Sequence, residues 1–267
     1  MRALLASPLG FLIGISLGAF GGGGSILAVP ALVYAAGQTP KHATSTSLVV
    51  VALTALVGVV PHWRAGRVRV GAGALFGLAG IGGSLLGTHL NASADPDLLL
   101  VAFSVIMLVA AAAMYRRSTD AVAAAPHPRS VGAAYVLPGA SATPAVVVKV
   151  LVAGSIVGLL TGFFGVGGGF VVVPALVLAL RFDMPDAVGT SLLVIAINSI
   201  VALGSRWQGG TIEWGTVVPF AVASIVGVAV GSRLAGSRDS STLQRGFIAL
   251  LVVVALYTGI RSGFALS

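Results

Sequence analysis

Long apolar runs separated by short polar breaks make up most of this chain of 267 residues, and the pattern predicts membrane-crossing helices. Most of the runs have about the 20 residues that a crossing helix needs. Two runs are longer, and each contains a cluster of glycines. Runs this continuous are typical of helices rather than of barrel strands, which alternate apolar and polar positions. The runs are 3–36, 44–63, 70–92, 97–115, 147–180, 187–206, 212–234 and 243–264.

The second half of the chain repeats the first without a gap at a shift of 144 residues. Low sequence complexity alone does not explain why tryptophan, proline and Thr-Ser motifs match in one register. We therefore predict a tandem duplication of a four-segment unit, with repeats at 1–115 and 147–267 and a linker at 116–146. Duplicated membrane units are typical of transporters, whose substrate site lies between the repeats. Matching pairs include Phe20 and Phe164, Pro30 and Pro174, Thr46 and Thr190, Ser47 and Ser191, and Trp63 and Trp207.

Two topologies are compatible with this pattern, because each long run can cross the membrane once or fold back at its glycines. Single crossings give parallel repeats and cytoplasmic termini, with ten of the 15 Lys and Arg residues on one side. Folded-back runs give inverted repeats and external termini, with eleven of the 15 on one side. Basic residues accumulate on the cytoplasmic side in either case, so charge counting does not choose. Both topologies place 64–69 and the linker 116–146 in the cytoplasm.

Composition excludes several classes of protein. Hydrophobic residues make up 57% of the chain and charged residues 8%, with a mean hydropathy of +1.05, which leaves too little polar surface for a soluble enzyme. The positive-inside rule explains the net charge of +8, so we expect no nucleic-acid partner. The chain has no cysteine, its four histidines are scattered, and no carboxylate pair or Ser-His-Asp set suggests hydrolysis. We expect no catalysis, no cofactor and no metal site.

Both glycine clusters lie inside a long apolar run and ahead of a proline. Each glycine weakens a helix by roughly 1 kcal/mol relative to Ala, so a cluster is expected to break it. Broken backbone within a membrane is tolerated only inside the protein or beside a wet cavity, and the freed N–H groups of a half-helix bind anions. Close helix packing alone is the alternative interpretation. The candidate substrate-binding residues are Gly21, Gly22, Gly23, Gly24 and Ser25 in the first copy and Gly165, Gly167, Gly168 and Gly169 in the second.

Hydroxyl side chains open the apolar run that follows each cluster, as Thr46 and Ser47 in the first copy and Thr190 and Ser191 in the second. One interpretation is helix capping. The other is that these hydroxyls bind substrate in the same cavity as the glycine clusters, near the membrane midplane. Asn198 lies two turns beyond Ser191, where a polar side chain is expected to face the bundle interior and either bind substrate or bridge two helices.

Other glycines recur at every fourth position. The series begins with Gly10, Gly14 and Gly18, and it has a counterpart at Gly154, Gly158 and Gly162. Small residues at this spacing allow membrane helices to approach closely. We therefore predict that these glycines serve helix packing rather than ligand binding.

The ordered motifs resemble those of the sulfite exporter TauE/SafE family of small membrane permeases. The resemblance rests on Gly162 to Gly169, Pro174 and Ala187 to Leu192, and on a weaker first copy at Gly18 to Pro30 and Ala43 to Leu48. The first copy departs from the pattern, with Gly22 for a bulkier residue and Ser25 where the second copy has Gly169. The resemblance implies secondary transport of small sulfur-containing anions, such as sulfite or sulfonates.

Two further functions stay open on the sequence, a membrane assembly or accessory protein without transport activity and a passive anion channel. The expected partners are a small anionic substrate, the lipid bilayer and a coupling ion, either H⁺ or Na⁺, and a homo-oligomer is compatible with the pattern. We expect a multi-pass protein of the cell membrane, which in bacteria is the inner membrane. Residues 1–20 are similar to a signal peptide, but a matching segment in mid-chain argues against that interpretation.

Overall fold

Helices form nearly all of the computed structural model in the residues it describes, which are 2–34, 37–38, 40–91, 96–123, 144–164, 169–206 and 214–266. No strand occurs in those ranges, so the predicted all-α class is confirmed. The elements are α1 (Arg2–Phe20), a 3-10 turn (Gly21–Gly24), α2 (Ser25–Tyr34), α3 (Pro40–Arg64), α4 (Val70–Asn91), α5 (Pro96–Ala123), α6 (Pro144–Phe164), α7 (Gly169–Leu178), α8 (Met184–Arg206), α9 (Trp214–Gly236) and α10 (Ser240–Leu266).

The apolar runs of the sequence correspond closely to these helices. Seven stretches of the described chain are long and apolar enough to cross a membrane, and they lie in α1 to α2, α3, α4, α6, α8, α9 and α10. The helices differ from the runs at the end of α5, which continues to Ala123, and at the starts of α3 and α8, which begin at Pro40 and Met184. Proline suits the first turn of a helix, because its missing N–H would have no partner there.

The closest helix packing joins α1 to α9 and α4 to α6. In both pairs, glycines at every fourth position lie against backbone of the opposite helix, and the predicted packing role is confirmed. Between α1 and α9, the facing residues are Gly10 and Phe220, Gly14 and Ser224, and Gly18 and Val228. Between α6 and α4, they are Gly154 and Phe76, Gly158 and Gly80, and Gly162 and Ser84. Each contact of one pair corresponds to a contact of the other at the shift of 144 residues. The duplication itself stays a prediction.

The directions of the helices follow from these contacts. Residue numbers rise together along both pairs, so α1 is parallel to α9 and α4 is parallel to α6. The end of α3 lies beside the end of α1, since His62 Nε2 is 3.4 Å from the carbonyl oxygen of Gly18. Because α4 starts where α3 ends, α4 and α6 run opposite to α1. The first helices of the two predicted repeats are therefore inverted.

The chain reverses at the glycine turn after α1. A Cβ atom built on Gly24 would lie 2.5 Å from the carbonyl oxygen of Ile13 and 2.6 Å from the backbone nitrogen of Leu17. In an uninterrupted helix, seven residues would separate Gly24 from Leu17 by about 10 Å. α2 therefore folds back beside α1, as in the folded-back topology that the sequence left open.

The two short helices lie in the interior of the bundle. Ala28 and Leu32 of α2 and Val173 and Leu176 of α7 are all completely buried. The long helices α3 and α8 pack against each other, and each short helix packs against one of them, α2 against α3 and α7 against α8. Interrupted helices are thereby enclosed by protein, which is the condition for broken backbone within a membrane.

One end of the bundle collects much of the described positive charge, and we call it the arginine-rich end. It contains the loop between α3 and α4, with Arg67 and Arg69, the end of α5, with Arg116 and Arg117, and the loop between α7 and α8. Arg117 donates a hydrogen bond to the carbonyl of Val177 at the end of α7. Burial, and next the charge of Arg181, lower the pKa of the Arg117 guanidinium from its ordinary value.

The predicted linker 116–146 overlaps helices at both of its ends. α5 continues to Ala123, and α6 begins at Pro144. The residues between them, 124–143, lie outside the described part of the chain. The division of the chain into two repeats and a linker stays a prediction.

Candidate functional site

The glycine turn between α1 and α2 is the most constrained backbone among the described residues of this region. Gly21 to Gly24 are all buried and form a single 3-10 turn. Gly21 has a φ of +67°, a conformation that other residues rarely adopt. The hydroxyl of Ser25 donates a 2.7 Å hydrogen bond to the carbonyl of Gly22 and closes the turn.

This turn contacts both α7 and α8. The backbone of Gly22 lies directly against the carbonyl of Gly169, the first residue of α7, and leaves no space for a Cβ atom. A Cβ atom on Gly21 would likewise clash with the hydroxyl of Ser191 on α8. The structure thus brings Gly21, Gly22, Ser25, Gly169 and Ser191 together. The first turn of α7, whose N–H groups have no partner within the helix itself, begins at this point.

The Thr-Ser motifs lie within helices rather than at their ends, so the capping interpretation is wrong. α3 begins six residues before Thr46 and α8 begins six residues before Thr190, because the prolines already start both helices. Ser191 instead donates to the carbonyl of Val188, 2.8 Å away, in its own helix. Thr190 accepts a 3.1 Å hydrogen bond from the backbone N–H of Arg69. Both side chains are completely buried.

The two threonines differ in their hydrogen bonding. Thr46 is completely buried, and its hydroxyl has no hydrogen-bond partner within the described chain. A buried polar atom without a partner is uncommon and calls for a ligand, an ion or a water. Ser47, the next residue, is also buried.

Three of the candidate glycines, Gly165, Gly167 and Gly168, lie outside the described residues. Asn198 lies apart from the glycine turn, about 10 Å along α8 from Ser191. A Cβ atom on Gly80 of α4 would lie 3.8 Å from its Nδ2 atom. Its Oδ1 atom is buried without a hydrogen-bond partner among the described residues. Asn198 is therefore placed at the contact of α8 with α4.

Two further polar side chains near the turn did not stand out in the sequence. His62 is only 2% exposed, and its Nδ1 atom has no hydrogen-bond partner in the described part of the chain. The hydroxyl of Ser232 on α9 is likewise buried and unpartnered there. A Cβ atom on Gly18 would touch the backbone nitrogen of Ser232, so both residues lie beside the end of α1. Both residues lie near helix ends, where polar side chains are common, so the sequence alone did not indicate that they are buried.

An ion pair lies next to the second Thr-Ser motif. Arg69 contacts the Oδ2 atom of Asp186 through Nη2 at 2.8 Å and Nε at 3.1 Å. The two side chains are 26% and 15% exposed, so water reaches them in part. The same arginine supplies the backbone N–H that Thr190 accepts. Arg69 therefore ties the loop after α3 to the start of α8.

The chemistry of the cluster suits an anion better than a cation. Its members are glycine backbone, the N-terminal turn of α7 and hydroxyl groups, and all of these can donate hydrogen bonds. The positive end of the α7 dipole faces the same point. The described residues also contain no group of three or more His, Cys, Asp or Glu side chains that could hold a metal ion. Neutral donors can therefore stabilise negative charge here without a cationic side chain.

Comparisons with known proteins agree with this description. The family described as "Sulfite exporter TauE/SafE" matches residues 6–258. A "Probable membrane transporter protein" of Xylella fastidiosa is 34% identical over 95% of this chain and 93% of its own length. "Probable membrane transporter protein YunE" of Bacillus subtilis is 25% identical over 96% of this chain and 93% of its own.

No solved structure matches the chain significantly. The family match spans nearly the whole chain and includes both glycine clusters and both Thr-Ser motifs. The relatives, named as transporters, match over the same extent. The chain is therefore a multi-pass membrane protein that belongs to the TauE/SafE sulfite exporter family of probable membrane transporters.

Proposed function

We propose that this protein is a secondary transporter of the cell membrane for small sulfur-containing anions such as sulfite or sulfonates. The family description names sulfite export, and the relatives are named as probable transporters. The observation that carries the proposal is the contact of Gly22 with Gly169, because it joins two interrupted helices inside the bundle. The oxygens of an anion would be held between them.

Several weak donors together would hold the anion. N–H groups of the glycine turn and of the first turn of α7 would supply hydrogen bonds, and each helix dipole would add roughly 0.3–1 kcal/mol. The hydroxyl of Ser191, rotated away from Val188, would add another. We also assign to the site the hydroxyl of Thr46, which has no hydrogen-bond partner among the described residues. Hydrogen bonds to charged groups are each worth roughly 1.5–3 kcal/mol. A sulfonate or sulfite offers three oxygens to such donors.

Alternating access would follow from movement of the tightly packed pairs α1–α9 and α4–α6 against α3 and α8. The pairs run in opposite directions, and opposed elements of this kind are typical of transporters that open alternately to the two sides. The Arg69–Asp186 ion pair would close the arginine-rich end, because it joins the loop after α3 to α8 beside Thr190.

The first experiment measures ligand binding and transport with the purified protein. Sulfite and methanesulfonate are expected to raise the melting temperature in detergent, with lactate and chloride as controls. At an anion concentration of about 100 times Kd, the free energy of unfolding rises by about 2.7 kcal/mol. The same anions are expected to show saturable uptake into proteoliposomes. If none of them stabilises the protein and none is taken up, the proposal is refuted.

The two alternative functions give different results in the same vesicles. A passive channel would give flux that rises linearly with concentration and shows no exchange of internal for external anion. An assembly or accessory protein would give no flux with any anion. Saturable flux that is accelerated by anion on the opposite side excludes both.

We further propose that the arginine-rich end faces the cytoplasm, with external termini, because the chain folds back at the glycine turn and basic residues accumulate inside. A cysteine in place of Ser118, near the end of α5, is then expected to resist an impermeant maleimide added to intact cells. A cysteine in place of Ser267 is expected to react. Rapid labelling of the Ser118→Cys variant would show that the arginine-rich end faces the outside of the cell.

A further inference from the structure

His62 is a titratable group that the binding site described above does not use. Its side chain is 2% exposed, and Nδ1 has no hydrogen-bond partner among the described residues. Nε2 is 3.4 Å from the carbonyl oxygen of Gly18, so this ring nitrogen carries the hydrogen in the neutral form. Nδ1 is then a free acceptor. Histidine is the side chain that ordinarily exchanges a proton near neutral pH.

The imidazole lies between the glycine turn and the second Thr-Ser motif. Gly18 is three residues before the turn, which is about 4.5 Å along α1. On the other side, a Cβ atom built on Gly189 would lie 3.0 Å from Cβ of His62, and Gly189 directly precedes Thr190. His62 thus adjoins both parts of the candidate anion site.

Few charges surround this imidazole. Arg67 lies in the loop after α3, and its backbone N–H donates a 2.9 Å hydrogen bond to the carbonyl of His62. The Arg69–Asp186 ion pair lies at the start of α8, and α9 carries the exposed Arg233. The described parts of α1 and α2 contribute no titratable side chain to this region. Among the described residues, no carboxylate is paired with His62, since Asp186 contacts Arg69. An anion at the glycine turn would therefore be the counter-charge of a proton on His62.

We propose that His62 is the proton-binding residue that couples anion transport to a proton gradient. This inference rests on the proposed function and names its coupling ion. A proton bound at Nδ1 converts the imidazole to an imidazolium beside the anion, and each charge favours binding of the other. The two are then carried together and released on the opposite side, where the imidazole becomes neutral again. Coupling energies between two sites typically change affinity about 5- to 150-fold.

The test compares gradient-driven uptake with exchange in proteoliposomes. The probe for gradient-driven uptake is labelled methanesulfonate, whose charge is constant across the pH range used. Labelled sulfite, which itself binds a proton in this range, is a second probe for exchange at equal pH only. The variants are His62→Gln, which keeps a donor for the Gly18 carbonyl but does not bind a proton, and His62→Leu, which keeps neither. His89→Gln is the matched control, because His89 is exposed near the far end of α4. Melting temperatures show whether each variant is folded.

Vesicles are clamped at zero membrane potential, with pH about 6 outside and about 8 inside, on either side of the ordinary histidine pKa. The wild-type protein and His89→Gln are expected to accumulate methanesulfonate about tenfold. His62→Gln is expected to lose this accumulation. With pH about 8 on both sides, where the wild-type imidazole also carries no proton, His62→Gln is expected to retain exchange within about twofold of the wild-type rate. This set of results supports the proposal.

Other results overturn it in distinguishable ways. If His62→Gln still accumulates the probe in response to the pH gradient, another group carries the proton. If His62→Leu loses this accumulation while His62→Gln keeps it, the role of His62 is purely structural. Loss of exchange in both variants likewise makes the residue structural. Wild-type uptake driven by Na⁺ but not by protons refutes the inference and leaves anion transport standing. If the wild-type protein moves neither probe, even by exchange, the proposed function fails and this inference fails with it.

Discussion

The α1–α9 contact and the glycine turn that follows it are built from the same residue type, yet glycine does different work in the two regions. Along the contact, Gly14 and its neighbours have ordinary helical backbone, and only the missing side chain matters. In the turn, Gly21 has a positive φ and Gly22 lies against the backbone of Gly169 from another part of the chain. Two packed helices can slide apart slightly, whereas a turn held at both ends cannot.

The largest effect is expected for Gly22→Ala. The added methyl group would occupy the position of the Gly169 carbonyl, and neither backbone can withdraw without opening the turn. We expect the free energy of unfolding to fall by about 3 kcal/mol or more, beyond the usual range for overpacking, with loss of transport. Thermal unfolding in detergent and uptake into vesicles measure the two effects.

Gly82→Ala is the control for this variant. Gly82 is exposed on α4, and a Cβ atom there meets nothing within 4 Å. Replacing a helical glycine by alanine at an open position is expected to stabilise the protein by about 0.4–1 kcal/mol. If Gly22→Ala is as harmless as Gly82→Ala, the contact with Gly169 does not constrain the turn.

An intermediate effect is expected for Gly14→Ala and Gly158→Ala, one in each close helix pair. Each methyl group would meet a backbone carbonyl or Cα atom of the facing helix, at Ser224 and Gly80 respectively. We expect each change to lower the free energy of unfolding by about 1–3 kcal/mol, with similar values for both. Melting curves of the two variants test this. A large inequality between them would show that the two pairs are not mechanically equivalent.

The two threonines separate stability from binding. Thr190→Val removes the acceptor of the Arg69 N–H, and a buried donor left unpaired costs about 1–3 kcal/mol. Thr46→Val removes no hydrogen bond seen in the structure, so its stability is expected to change by less than about 0.5 kcal/mol while anion affinity falls. Melting temperatures with and without sulfite measure both quantities. Unchanged affinity in Thr46→Val would exclude this hydroxyl from the site.

A small effect on stability, and none on anion affinity, is expected for Arg117→Gln. The guanidinium binds the carbonyls of Val177 and Leu178 at the end of α7, where a positive charge complements the helix dipole. We expect a loss of about 0.5–1 kcal/mol in the free energy of unfolding, and transport close to that of the wild-type protein. Arg116→Gln, at an exposed neighbouring position, is the control. Equal melting temperatures for the two variants would mean that α7 does not need this interaction.

The membrane class, the helix positions and the packing role of the regularly spaced glycines were all predictable from the sequence. Hydrophobic run length is a local property, and a bilayer imposes one length on every crossing helix. Glycines four residues apart share one helix face whatever lies opposite, so Gly10, Gly14 and Gly18 signalled a close contact before its partner α9 was known. The glycine cluster likewise predicted an interruption, because propensity is a sum over neighbouring residues.

Only the tertiary structure decided which of these features meet. The sequence places Gly22 and Gly169 far apart, and nothing local indicates that their backbones touch or that the chain reverses at Gly24. His62 stands near the end of an apolar run, and Arg69 lies in the predicted cytoplasmic segment 64–69, so neither is marked by its position as part of an interior site. The end of α3 lies beside α1, and the loop after α3 contacts Thr190, so these groups lie next to the interior site. Burial and the loss of hydrogen-bond partners arise from contacts between distant segments, and a linear pattern of residues does not encode them directly.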